Sequence, residues 1–123
     1  MRACLNQATL LTTDLETFVR VAKAAGFEAI ELRTEKVEEC LKKKGRKELS
    51  GFIRSTDLEV TSLNALENFS LDPKQFGKMM DQAERMIEVC DIVGSEKIIA
   101  ISAPRLPGIK EKEIVERTKA ALE

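Results

Sequence analysis

The sequence predicts a parallel α/β protein, a four-stranded (β/α)4 unit that is the first half of an eight-stranded barrel. Three observations carry this. Short apolar runs near residues 2–7, 29–33, 58–65 and 97–102 alternate with amphipathic helical segments, the pattern of parallel strands joined by right-handed crossovers. Two helices exit through the same signature, Gly26-Phe27-Glu28-Ala29-Ile30 and Gly94-Ser95-Glu96-Lys97-Ile98, 68 residues apart. The turn after the first strand, Gln7-Ala8-Thr9-Leu10-Leu11-Thr12, has no glycine, so the phosphate loops of an open nucleotide-binding sheet are missing.

Taken in order, Met1–Gln7 opens with a strand-like run. Thr13-Asp14-Leu15-Glu16 fits a capping box, with Thr13 bonding forward and Glu16 back. Leu15, Phe18, Val19, Ala22 and Ala25 then recur at helical spacing. Gly26 stands where a left-handed helix stop is wanted, Phe27 can pack back on the last turn, and Ala29–Arg33 is the second strand. Val37, Cys40 and Leu41 mark a short helix broken near Gly45; Leu49, Phe52 and Ile53 mark another from about Arg46 to Ser55. Leu58–Ala65 is the third strand, and the Asn, Ser, Asp and Pro of Glu67–Pro73 make a loop. Phe76 to Val93 is a long helix whose predicted apolar face carries Phe76, Met79, Met80, Ala83, Met86, Ile87, Cys90 and Val93. Its methionines read as gap-filling core. After Gly94, Lys97–Ser102 is the fourth strand. Pro104 and Pro107 mark a loop, and Lys110–Glu123 is a last helix with Ile114, Val115 and Leu122 on its apolar face. The ending carries neither Gly nor Pro, and reads as a cut in a longer helix.

Composition narrows the function classes. The 123 residues read as one domain, 1–123, which buries roughly two thirds of its unfolded surface and needs no staple. Twenty basic residues face twenty-one acidic ones, for a net charge of −1. No global field draws in a polyanion, and the run Lys42–Lys47 reads as a solvated turn without the aromatics of a single-strand binder. The expectation is no nucleic-acid partner. Cys4, Cys40 and Cys90 form no C-x-x-C pair and read as reduced thiols of a cytoplasmic protein. No run approaches the ~20 apolar residues of a membrane span. The chain has no histidine, which removes the commonest general base and transition-metal ligand.

Alternation along the strands puts Cys4 and Asn6, Glu31 and Arg33, Ser62 and Asn64, and Ala100 and Ser102 on one face. Leu5, Ile30, Leu32, Leu63, Ile99 and Ile101 fall on the face that helices cover. The polar set lies toward the carboxyl ends of the strands, the working end of a (β/α)8 barrel. Glu31 with Arg33 is open to two readings: an internal ion pair that fixes the register, or part of a wet pocket. Four strands each placing a polar residue at one end favour the pocket, because an unpartnered buried polar group costs about 1–3 kcal/mol. In the overhanging loops, Arg105 could grip a phosphate or carboxylate with its guanidinium fork, and Phe69 could close over a sugar ring or pin its own loop.

Asp14-Leu15-Glu16 through Ala24-Ala25-Gly26-Phe27-Glu28-Ala29-Ile30-Glu31-Leu32-Arg33 resembles the opening of the sugar-phosphate isomerase/epimerase family, also called xylose-isomerase-like TIM barrels. Leu58-Glu59-Val60-Thr61-Ser62-Leu63-Asn64 resembles that family's third strand, and Gly94-Ser95-Glu96-Lys97-Ile98-Ile99 its entry to the fourth. The resemblance covers nearly the whole chain. It implies a (β/α)8 barrel of about 250–300 residues, with a divalent metal in many members held by Glu, Asp, His and Glu at the ends of strands five to eight. This chain matches none of those ligand positions, so a metal is expected only in a complete barrel. What carries over is a substrate-facing role, to Glu31 first as a catalytic candidate and then to Asn6, Asn64 and Ser102. Arg33 and Arg105 join them as substrate-binding candidates from the residue reading alone.

Two functions are therefore expected to compete. One is the N-terminal portion of a metal-dependent isomerase or epimerase of a sugar-like substrate, inactive alone and completed by a missing C-terminal half-barrel. The other is a free-standing half-barrel that self-associates as a binding or assembly module. Abasic-site endonucleases share the barrel, but the near-neutral charge and absent metal ligands argue against DNA repair.

Overall fold

The computed structural model describes residues 2–67, 69, 73–102 and 108–123. One four-stranded sheet forms, in the order β1 (Cys4–Asn6), β2 (Ala29–Arg33), β3 (Glu59–Glu67), β4 (Ile98–Ile101). Every neighbouring pair is parallel. The helices are α1 (Leu15–Ala24), α2 (Thr34–Lys44), α3 (Arg46–Arg54), α4 (Phe76–Val93) and α5 (Glu111–Leu122). Spatial order equals chain order, as in a barrel unrolled halfway; an open doubly wound sheet would reverse direction at a switch point.

The core lies on one face of the sheet, where the strands meet α1 to α4. Leu15, Phe18, Val19 and Ala22 of α1 are buried in one cluster with Ile30 and Leu32 of β2, Leu63 of β3, Val37 and Leu49 of α2 and α3, and Met86, Val89 and Val93 of α4. Burying each large apolar side chain stabilises by about 1.5–3 kcal/mol. Two glycines end helices as expected. Gly26 at φ +79° lets Phe27 N–H return to the carbonyl of Ala22 at 3.1 Å, and Gly94 at φ +74° closes α4 onto Cys90 O. Phe27 packs against the core.

Several expectations need correction. The cap of α1 is Asp14, whose carboxylate accepts from Thr17 N–H at 2.7 Å. Thr13 is unavailable, because its hydroxyl donates back to Leu10 O at 2.8 Å. Glu16 accordingly leaves the cap and meets Lys44 Nζ at 3.2 Å. The first strand is shorter than expected, since Gln7–Leu10 turns into a 3-10 helix, while β3 runs on to Glu67. The expected apolar face of α4 holds only in part: Met86, Cys90 and Val93 are buried with Val89 and Ile92, whereas Phe76, Met80 and Ile87 are exposed. No residue of α5 is buried.

The largest correction concerns β4. Ile98 opens the strand opposite Leu63 and takes the core side. Alternation then sends Ile99, the partner of Asn64, to the opposite face, with Ile101 opposite Glu67. Ile99 and Ile101 are exposed at 36% and 44%, not covered by helices. The register also slips between Asn64 and Leu66, at the cis peptide Asn64–Ala65.

Candidate functional site

The face of the sheet away from α1 to α4 carries one polar cluster, centred on Glu31 of β2. Glu31 stands opposite Asn6 on one side and Ser62 on the other. The Asn6 Nδ2 amide donates to Glu31 Oε1. Asn64 Nδ2 donates to the same oxygen at 2.9 Å. Ser62 Oγ donates to Oε2 at 2.7 Å. Donors from the strands on both sides thus hold one half-buried carboxylate, and hydrogen bonds to an ionised acceptor are the strong kind.

Local structure explains why these donors point inward. Asn6 ends β1 and caps the turn that follows: its Oδ1 accepts from Ala8 N–H at 2.7 Å, and its carbonyl accepts from the Thr9 hydroxyl at 2.7 Å. With the oxygen committed to the turn, only the Nδ2 end of the amide is left for Glu31. On β3, Thr61 is an extra residue where the β2–β3 register shifts, and its hydroxyl donates to Ile30 O at 3.2 Å. That insertion brings Ser62 beside Glu31 and keeps Leu63 on the core side. Ser62 was placed on this face by alternation but not singled out; its burial, 4% exposed, and its contact with Glu31 make it a member of the site.

The other expected residues fall out differently. Arg33 does not pair with Glu31, so the ion-pair reading fails: its Nε and Nη2 meet Glu35 Oε1, each at 2.6 Å. The reason is local, since Glu35 lies two residues on in the first turn of α2. Ser102 stands exposed one residue past β4; its position continues the side of Ile98 and Ala100, not that of Glu31. Arg105, with Pro104 and Leu106, lies outside the described residues. Phe69 is packed against the core, which fits the pinning of its own loop.

Sequence reasoning missed Gln7. It is fully buried, and its Oε1 accepts from Arg33 N–H at 2.9 Å. This ties the turn after β1 to the end of β2. Its Nε2 is buried with no partner among the described residues. A glutamine directly after a strand reads as solvated turn, and nothing in its neighbours distinguishes it.

A divalent metal does not fit what the described residues offer. Among the described residues no group of three His, Cys, Asp or Glu could hold one, and the Glu31 oxygens already take three protein donors.

No family model matches the sequence, and no curated protein does. Solved structures do match. The chain is similar to the IolI protein, whose crystal structure has a bound zinc atom, at 26% identity and a TM-score of 0.89, over 99% of this chain and 45% of that one. It is also similar to AsbF of Bacillus anthracis, a probable 3-DHS dehydratase involved in petrobactin synthesis, at 20% identity and a TM-score of 0.74, over 98% and 47% of the two chains. A xylose isomerase domain-containing protein of Salmonella typhimurium is similar at 18% identity and a TM-score of 0.70, over 97% and 43%. This chain spans a little under half the length of each.

Proposed function

We propose that this chain, which has the fold of the N-terminal half of a xylose-isomerase-like barrel, forms the substrate-facing wall of a barrel acting on a small polyhydroxylated, sugar-like molecule. The observation that carries the reading is the state of Glu31. A carboxylate offers about four lone-pair positions. Two donors sit on Oε1 and one on Oε2, which leaves one acceptor position, on Oε2, fixed in direction by the other three bonds. A substrate hydroxyl fits that position, either bound there or giving up its proton as a neighbouring carbon reacts. Asn6, Ser62 and Asn64 are then positioning residues. Arg33, on exchanging its Glu35 partner, and Arg105 would meet an anionic substituent.

In this reading the whole protein is an isomerase or epimerase, and this half does not turn over substrate alone. The relatives support the fold; the zinc belongs to the IolI structure. A metal in a barrel built from this chain would be held by the other half. Three free cysteines suit a reducing, cytoplasmic setting.

The test is a titration of the chain with aldoses, ketoses and polyols, following the side-chain amide resonances of Asn6 and Asn64. Both should shift on binding, and the shifts should vanish in Glu31→Gln. Silence at both amides, or equal shifts in the variant, defeats the reading. Metal-dependent isomerase turnover by these 123 residues alone would defeat the claim that the half is incomplete. A second reading, an assembly module without catalysis of its own, is favoured by one observation: the exposure of Ile99 and Ile101.

A further inference from the structure

The cations of this chain are not spread evenly. Residues 42–54 hold Lys42, Lys43, Lys44, Arg46, Lys47 and Arg54 against a single acid, Glu48. The rest of the chain holds fourteen basic residues against twenty acidic ones. Glu48 is taken up by Lys44, whose Nζ meets Glu48 Oε1 at 2.9 Å and Glu16 Oε1 at 3.2 Å. Arg46 and Lys47 belong to the first turn of α3, not to the bend at Gly45. With Arg54 at the end of the same helix, they form no salt bridge among the described residues.

Helix geometry brings these three cations to one side. At 3.6 residues per turn, Arg46, Lys47, Ser50, Gly51 and Arg54 fall within an arc of about 140°. Leu49 and Ile53, on the other side, are buried in the core, whereas Arg46, Lys47 and Arg54 are exposed. The same five residues line an open groove of about 520 Å³, a volume within the range of small-ligand sites. Gly51 is a second, independent mark of that groove. Its φ lies outside the left-handed region, so the backbone does not require glycine. A Cβ built there would meet nothing within 4 Å, so packing does not require it either. Glycine inside a helix weakens the helix. The one thing a side chain at this position would change is the groove, which it would fill.

We infer that this groove on α3 binds a compact polyanion, a small molecule carrying two or more phosphate groups. Charge complementarity selects the sign, because every ionised group lining the groove is a cation. The two arginine forks can each take a pair of phosphate oxygens. Lys47 adds a point charge and Ser50 a neutral hydroxyl donor. Three cations also select the number. A phosphate ester carries a charge of about −1.5 to −2 at neutral pH, so two are needed to balance them. Size selects a small occupant. Arg46 and Arg54 stand about 12 Å apart along the helix axis. A stable protein interface takes about 20–30 residues from each side, and only five line this groove. None of the five is aromatic, so a nucleic-acid strand would find nothing on which to stack its bases. The groove belongs to the helix layer, on the other side of the sheet from Glu31, and does not depend on what Glu31 binds.

The experiment titrates the 123-residue chain with inorganic tripolyphosphate at low salt, where screening is weak, and follows the backbone amides. Those of Arg46–Arg54 should shift and saturate at one ligand per chain, with a Kd of about 1 mM or tighter. Arg46→Ala and Arg54→Ala should each weaken binding about 5-fold, and Lys78→Ala, on α4, should leave it unchanged. Gly51→Leu separates the ligand from the helix. Leucine is the better helix former and has open space there, so this variant should melt higher than the parent chain yet bind at least ~5-fold more weakly. Unchanged binding by Gly51→Leu overturns the inference. So do α3 amides that stay still at ~10 mM tripolyphosphate, or shifts spread equally over the lysines of α4 and α5, which any anion would cause. Sulfate that binds as tightly at matched ionic strength overturns the need for a second phosphate. An acidic peptide or an RNA strand that binds α3 more tightly than tripolyphosphate overturns the small occupant. Failure here leaves the sugar titration untouched, since that follows Asn6 and Asn64 beside Glu31.

Discussion

Glu31 acts on its surroundings through three bonds, and truncating it strands three donors at once. Glu31→Ala should cost about 1 kcal/mol in urea unfolding, the lower part of the range for unsatisfied groups because water reaches a half-buried site. Asn6→Ala should cost at both its bonds, at the turn and at Glu31. The cysteines make a second residue-scale case. Cys4 is exposed, whereas Cys40 and Cys90 are buried, and burial pushes both thiols above their ordinary range. A thiol reagent should label one cysteine fast and two only on unfolding. A folded pKa above the unfolded value means that the folded state keeps a proton which the unfolded state loses. The stability from Cys40 and Cys90 is thus full below about pH 8.5 and falls as pH rises toward their raised folded values. Thermal melts across pH 7 to 10 would show a midpoint that drops at the alkaline end, and Cys40→Ser with Cys90→Ser should flatten that drop.

At the scale of elements, helices were legible and strand faces less so. Phe76 to Val93 was readable to the residue as a helix because its apolar spacing and the Gly94 stop agree. The Ile-Ile-Ala-Ile of β4 has no polar residue to mark one side, so alternation could be started from either isoleucine; only the pairing of Ile98 with Leu63 decides. The start of α1 was ambiguous for a related reason. Thr13 and Asp14 are both good caps, and the preceding 3-10 turn, which claims the Thr13 hydroxyl, left no mark in the sequence. Asp14 now carries the prediction. The Thr17 backbone N–H holds its carboxyl below the usual range, so the cap is worth most above about pH 3.9 and is lost as pH falls through the lower folded value. Asp14→Ala should lower the urea midpoint at pH 7, and the difference from the parent chain should close in acid. Core and surface of the same helix should separate clearly: Phe18→Ala should cost about 3–5 kcal/mol, and Val21→Ala, on the exposed side, should stay within about 0.5 kcal/mol.

For the molecule as a whole, four strands in sequence order follow from four repeats of one pattern, and that much was readable in advance. The polar cluster was half readable. Alternation put Asn6, Glu31 and Asn64 on one face, but the bulge at Thr61 and the committed Oδ1 of Asn6, which together aim the donors, are properties of backbone geometry. That all four strands run the same way has a consequence for any device built from this chain. A parallel sheet has a head and a tail, and Asn6, which donates to Glu31, closes β1 at the head. Anchored to a solid support by residues at the tail, every copy would turn that end toward the solution, and none would be lost face down.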